Sequence, residues 1–215
     1  MTPWWGALIG LLCVAAASPL LAGWSQALTT GTTQRWWRPR RTSRARLAAV
    51  SALAAALILG SVAGRPYPAW VVFGAVGAVL IAVDAQVHLL PARLVYPGAA
   101  VITAVLAAAA ISSGTADQLL RAGLAAAAVG ALWLVVVFAA PAAMGLGAVR
   151  VLALSAGLLG WTSWTAVLSG QCLTFLLAAV LAVGLAVFRP QLRGRRMPVP
   201  MGPAIIIAAV IASWL

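Results

Sequence analysis

Only two residues of the 215 carry a carboxylate, Asp84 and Asp117, and there is no glutamate. Asp84 lies in LIAVDAQVHLLPARL (80–94), whose first half is apolar enough for a lipid bilayer. A charged group at membrane depth costs about 3 kcal/mol on insertion scales, so such residues usually face a protein interior or a water-filled cavity and mark function. The bland alternative is an interfacial aspartate reaching headgroup water, paired with His88 or Arg93. His88, the only histidine, follows one helical turn later and could hold Asp84 or shuttle a proton. Pro91 cannot supply a helix-interior N–H, which predicts a tight turn into the next apolar segment.

Two further stretches could contribute to the same site. PAAMGLGAVRVLALSAGLLGW (141–161) sets Gly145 and Gly147 on either side of Leu146, just before a short apolar span. Paired glycines let a backbone unwind or approach another helix closely. RRMPVPMGPAII (195–206) opens the last span with Pro200, Gly202 and Pro203. Irregular backbone at membrane depth is tolerated where it is buried in protein or lines a cavity. Three such openings on one side of a membrane would surround one site containing Asp84. Asp117 reads differently. Thr115 and Gln118 have capping-box spacing, and Asp117 precedes Arg121 by one turn at a helix start, so a structural cap is expected there.

The elements that must position these residues are membrane helices. The chain is 64% hydrophobic and 7% charged, with mean hydropathy +1.07. A soluble domain carries roughly a quarter charged residues, so the exterior of this chain must be lipid. Apolar segments recur at about 4–24, 47–63, 68–88, 94–113, 118–140, 149–161, 166–187 and 201–215. The expected fold is an all-α, polytopic integral membrane bundle of about eight transmembrane helices, forming a single membrane domain over 1–215. The sixth and eighth segments are short for a ~30 Å hydrocarbon core.

The net charge of +12 comes from arginine alone. Arg35, Arg38, Arg40, Arg41, Arg44 and Arg46 fall in the basic loop 25–46. Arg93, Arg150, Arg189, Arg193, Arg195 and Arg196 fall in alternate later loops, leaving only Arg65 and Arg121 for the other side. The positive-inside rule makes the arginine-rich side cytoplasmic and both termini extracytoplasmic, and it accounts for the charge without nucleic acid. The N-terminus lacks the basic region of a signal peptide and reads as a first membrane helix. Trp4, Trp5, Trp36, Trp37, Trp70, Trp161, Trp164 and Trp214 sit near segment ends, as an interfacial aromatic belt would. Cys13 and Cys172 lie in apolar segments as expected buried thiols, and no CxxC pair or metal-ligand spacing occurs. No metal and no cofactor is expected.

Taken together, the motifs resemble those of the type IV prepilin leader peptidases, membrane aspartic proteases of the GxGD type. Asp84 to Pro91, with Leu89 and Leu90, is similar to the family's D-x-x-x-x-L-[LI]-P signature. Gly145, Gly147, Arg150, Gly160 and Trp161 match a G-x-G-D segment with its downstream basic residue and Gly-Trp ending. Pro200-Met201-Gly202-Pro203 resembles the family's late P-F-G-P. The resemblance runs from about residue 68 to the end.

It implies a two-aspartate mechanism in which one carboxylate activates water and the other acts as an acid on the scissile carbonyl, a proton being shared between them. Asp84 would be the first. The position of the second holds Ala148, so the chain as written should be inactive. Ala148 is either an introduced Asp→Ala substitution, which the intact remainder of the signature favours, or the mark of a naturally inactive relative. Gly145, Gly147, Gly202, Pro91 and Pro203 would shape the site, with His88 nearby and Arg150 holding its interfacial position. The implied substrate is a pilin or pseudopilin precursor at the bacterial cytoplasmic membrane, its basic leader in the cytoplasm and its apolar helix in the bilayer. The loop after the first span lacks the Cys-x-x-Cys pairs of longer members, which argues against zinc and leaves methyl transfer unsupported. Two other functions compete: a non-catalytic membrane protein that binds pilin-like helices, and a proton-coupled transporter using Asp84 and His88.

Overall fold

The computed structural model describes residues 4–29, 43–60, 65–88, 90–140, 144–188 and 200–215. Among them are eight helices and no strand: α1 (Trp4–Thr29), α2 (Arg44–Gly60), α3 (Tyr67–Val87), α4 (Ala92–Ser113), α5 (Ala116–Ala139), α6 (Leu146–Thr162), α7 (Trp164–Phe188) and α8 (Met201–Ala212). Four of these, α3, α4, α5 and α7, are long and apolar enough to cross a membrane, while α6 and α8 are shorter apolar helices.

Breakers end the helices where the sequence places them. His88 takes a left-handed conformation (φ 52°, ψ 38°) and its N–H bonds the Asp84 carbonyl oxygen at 2.9 Å, closing α3. Pro91 begins α4 from an extended conformation, since its ring supplies no donor for a continuing helix. Gly114, at φ 69°, ends α4 in the region that only glycine enters without strain.

α1, α2 and α3 pack together, α5 lies along α6, and α7 along α8. The short α8 is wedged between these groups and touches α2, α3, α6 and α7. Its length suits that place: Ile205, Ile206, Ala208 and Ala209 are all buried, so the helix exposes little. Gly160 allows the α5–α6 approach, because a Cβ there would stand 2.6 Å from Ala125 Cβ. The outside is apolar. Ile111 is 84% and Phe188 85% exposed, the reverse of what a water-facing surface selects.

Several expectations are corrected. Of the two roles open to the paired glycines, unwinding is not taken, since α6 begins at Leu146 and Gly147 and Ala148 lie in its first turn, whereas Gly147 does permit a close backbone approach. The basic segment 25–46 is partly helical, because α1 runs to Thr29 and α2 starts at Arg44. Trp70 and Trp161 belong to the core, with Trp70 edge-on to Phe73, whereas Trp164 and Trp214 are exposed. Cys172 faces outward from α7 instead of being buried. Thr115 does not cap α5. Its hydroxyl pairs with that of Ser113 at 2.8 Å, and no side-chain cap bond forms. Arg121 does not turn back to Asp117. Its guanidinium donates to the carbonyls of Gly160, Trp161 and Thr162 at 2.7, 2.6 and 2.9 Å, closing the C-terminus of α6. Leu89, the basic residues Arg35, Arg38, Arg40, Arg41, Arg189, Arg193, Arg195 and Arg196, and Trp36 and Trp37 lie outside the described residues, as do the side chains of Trp4, Trp5 and Cys13.

Candidate functional site

Asp84 sits in the last turn of α3 and is 3% exposed. Its Oδ2 accepts the backbone N–H of Gly202 at 2.7 Å. The reason lies in the local sequence of α8. Pro200 is the N-cap and offers no side-chain cap, and Pro203 has no N–H, so few donors open the helix. Gly202 carries one of them into the core, and the Asp84 carboxylate satisfies it from across the bundle. A carboxylate at this end of a helix also meets the positive pole of the helix dipole.

A side chain at Gly202 would crowd Asp84. A Cβ at that position would lie 3.0 Å from Asp84 Oδ2, 3.2 Å from Asp84 Cβ and 3.1 Å from Leu90 Cδ2. Leu90, buried in the α3–α4 turn just before Pro91, is the residue that joins this pair to α6. A Cβ on Gly147 would come within 2.8 Å of the Leu90 carbonyl oxygen and 2.9 Å of its Cβ. Backbone thus meets backbone at Gly147, which leaves no room for a side chain. Ala148 follows it, buried, with its N–H on the Gly145 carbonyl oxygen at 3.0 Å.

The sequence segments around Asp84, Leu90–Pro91, Gly147–Ala148 and Gly202 therefore converge, with Leu90 in contact range of both glycines. Pro91 and Pro203 stand at the openings of α4 and α8 as half-buried residues. Gly145 is exposed, and a Cβ there would meet nothing within 4 Å, so it contributes backbone at the mouth of α6 and no close packing. The His88 side chain is exposed and makes no hydrogen bond to the Asp84 carboxylate, although it lies near enough to interact with it by charge; its backbone N–H bonds the carbonyl oxygen of residue 84. Arg150 lies over the Tyr96 ring, 5.4 Å from its centre. That contact faces α4 instead of the Asp84–Gly202 pair.

Reading the sequence singled out Gly202 for its helix-breaking context but missed that its amide would hold Asp84. The signal was present in the two prolines flanking Met201 and Gly202, which leave that amide as a donor needing a partner. Leu90 was read only as part of a turn. Arg46, read as a topology signal, also ties three helices: it donates to Thr29 Oγ1 at 3.3 Å and to Gln86 Oε1.

Chemically, the locus offers one buried carboxylate with one oxygen engaged by an amide. Such a group can accept a proton or orient a water. It cannot divide acid and base roles with the methyl group of Ala148. No three His, Cys, Asp or Glu side chains gather among the described residues, so no cluster for a metal is formed by them. No family model, curated protein or solved structure matches the chain.

Proposed function

We propose that the chain is a prepilin-type leader peptidase scaffold, a membrane-embedded aspartic endopeptidase represented here in an inactive form because Ala148 stands where the second catalytic aspartate is required. The observation that supports it best is the meeting of the three motif segments. Asp84 accepts from Gly202, and Leu90 of the turn abuts both Gly202 and Gly147, one residue before Ala148. Nothing in a membrane bundle obliges three motif segments so far apart in sequence to share one residue's surroundings, whereas an active site does.

In the active form Asp84 and an aspartate at 148 share one proton, since two close carboxylates do not readily ionise together. One removes a proton from the attacking water while the other donates to the scissile carbonyl. The substrate is a pilin-like precursor cut where its basic leader meets its apolar helix. The arginine-rich side of the bundle is placed at the cytoplasm, in the bacterial inner membrane with both termini outside, on the charge asymmetry of the loops. Asp84, one turn from the end of α3, is then near that face.

The test is Ala148→Asp in lipid nanodiscs, incubated with pilin precursors of the source organism. Leader removal by Ala148→Asp, with none by the chain as it stands or by Ala148→Asp combined with Asp84→Asn, is the expected result. A folded Ala148→Asp protein that cleaves no precursor rejects the peptidase. One observation favours a second reading, the alanine itself: a protein that binds pilin-like helices without cutting them needs no second carboxylate. Retention of uncleaved precursor by both forms, with no turnover, would mark that function.

A further inference from the structure

α4 stands away from α5 and α6, which lie close along each other, and the space between them is a groove of about 540 Å³ open to the outside of the bundle. Its volume falls in the ~300–1,000 Å³ range of small-molecule sites. Its lining combines small residues, among them Ala99, Ala122, Gly123 and Gly157, with aliphatic side chains and Thr103. Arg150 is the single charged residue lining it, at the end where Tyr96 stands.

The groove has a polar end and a measurable depth. From Val95 to Ala107, its limits on α4, the helix rises about 18 Å. Leu119, in the first turn of α5, lines the other end, so the groove runs along most of the length of α4 with Arg150 and Tyr96 at one end. An acyl chain whose headgroup sits at the Arg150 end would lie along its apolar lining.

Charge points the same way. The chain has two side-chain carboxylates. Asp84 is buried on the Gly202 amide, and Asp117 lies at the far end of α5, one turn from Arg121. Neither bonds Arg150, whose contact is the Tyr96 ring. A guanidinium held by an aromatic face, with its N–H fork uncommitted to any acid, is suited to a phosphate.

We propose that the α4–α5–α6 groove binds an anionic phospholipid, with the phosphate on Arg150 and one acyl chain lying between Ala99, Gly123 and Gly157. This assignment is independent of the peptidase reading.

Native mass spectrometry of the full-length protein released from detergent tests it, with phosphatidylglycerol and phosphatidylcholine offered in equal amounts. The unaltered protein is expected to retain phosphatidylglycerol preferentially. Arg150→Gln is expected to lose that preference by about tenfold, while Arg150→Lys keeps most of it. Gly123→Leu puts a side chain into the groove, starting from a Cβ that meets nothing within 4 Å, and an unchanged melting temperature checks that the fold is kept. It is expected to release the lipid while Arg150 is intact. Unchanged phosphatidylglycerol retention in both Arg150→Gln and Gly123→Leu overturns the proposal. So does a single-span peptide bearing an acidic residue, if it crosslinks to Gly123→Cys and excess phosphatidylglycerol fails to displace it.

Discussion

The Gly202 amide donates to Asp84 Oδ2 at 2.7 Å, across 118 residues of sequence. This bond makes Asp84 the cap of α8 whether or not it does chemistry. The carboxylate satisfies a buried donor, and the missing side chain of Gly202 makes the approach possible. Asp84→Leu is expected to destabilise the protein by about 1–3 kcal/mol, the usual cost of orphaning a buried donor. Asp84→Asn, which retains an acceptor oxygen of the same shape, is expected to lose less. Thermal unfolding in detergent measures both. Equal losses for Leu and Asn would show that the Gly202 bond does not hold α8.

The two glycines of the α6 opening should behave oppositely. A Cβ on Gly147 would meet the Leu90 carbonyl oxygen at 2.8 Å, and backbone cannot rotate away as a side-chain end can. Gly147→Ala is therefore expected to cost about 1–3 kcal/mol and to push the α3–α4 turn away from α6. Gly145 has φ −88° and ψ 153°, open to any residue, and a Cβ there meets nothing. Gly145→Ala is expected to be neutral or to stabilise by about 0.4–1 kcal/mol through the unfolded chain. Parallel melting curves in one detergent give the comparison, and equal effects of the two substitutions would contradict it.

Arg121 should matter far more than its sequence neighbour Asp117. Three carbonyls at the end of α6 accept from its guanidinium, and cations at a helix C-terminus also meet the negative pole of the dipole. Arg121→Met is expected to cost about 2–3 kcal/mol, in line with charged hydrogen bonds that are partly shielded from water. Asp117 is exposed, and Asp117→Asn is expected to stay within about 0.5 kcal/mol of the parent. Denaturation of the two variants side by side decides it. A larger loss at Asp117 would restore the local acid–base pair that the sequence spacing implied.

The helices were legible in the sequence because apolar length and breakers act locally. Pro91, Gly114 and Pro200 end or begin helices where the residue types require it. The partners of long-range groups were not legible, for the same reason. Arg121 stands one turn from Asp117, yet its acceptors lie 39 to 41 residues away and are backbone oxygens that no residue type announces. Trp70 illustrates a different ambiguity. A tryptophan at a segment end satisfies an interfacial belt and a packed core equally well, and only the contact with Phe73 distinguishes them. Of the candidate site, Asp84, Gly147 and Gly202 were visible as costly or permissive residues. That Leu90 would join them depends on how α3, α6 and α8 pack, which no single segment encodes.

The packing around Leu90 also allows the pairing of positions 84 and 148 to be measured as an energy. Ala148 is buried, so Ala148→Asp alone should destabilise the protein through desolvation of a second acid. If that acid lies beside Asp84, mutual repulsion raises the cost, and replacing Asp84 by Asn should return part of it. The double-mutant cycle of Ala148→Asp and Asp84→Asn is expected to give a coupling of about 0.5–3 kcal/mol, as contacting groups do. The single loss at Asp84→Asn supplies the reference for the Gly202 bond, so the coupling isolates the carboxylate pair. The same proteins should show the coupling shrink at low pH, where protonation removes the repulsion between like charges. Additive losses within about 0.3–0.5 kcal/mol would separate the two positions. Asp84 would then be a cap for α8 with no catalytic partner at 148.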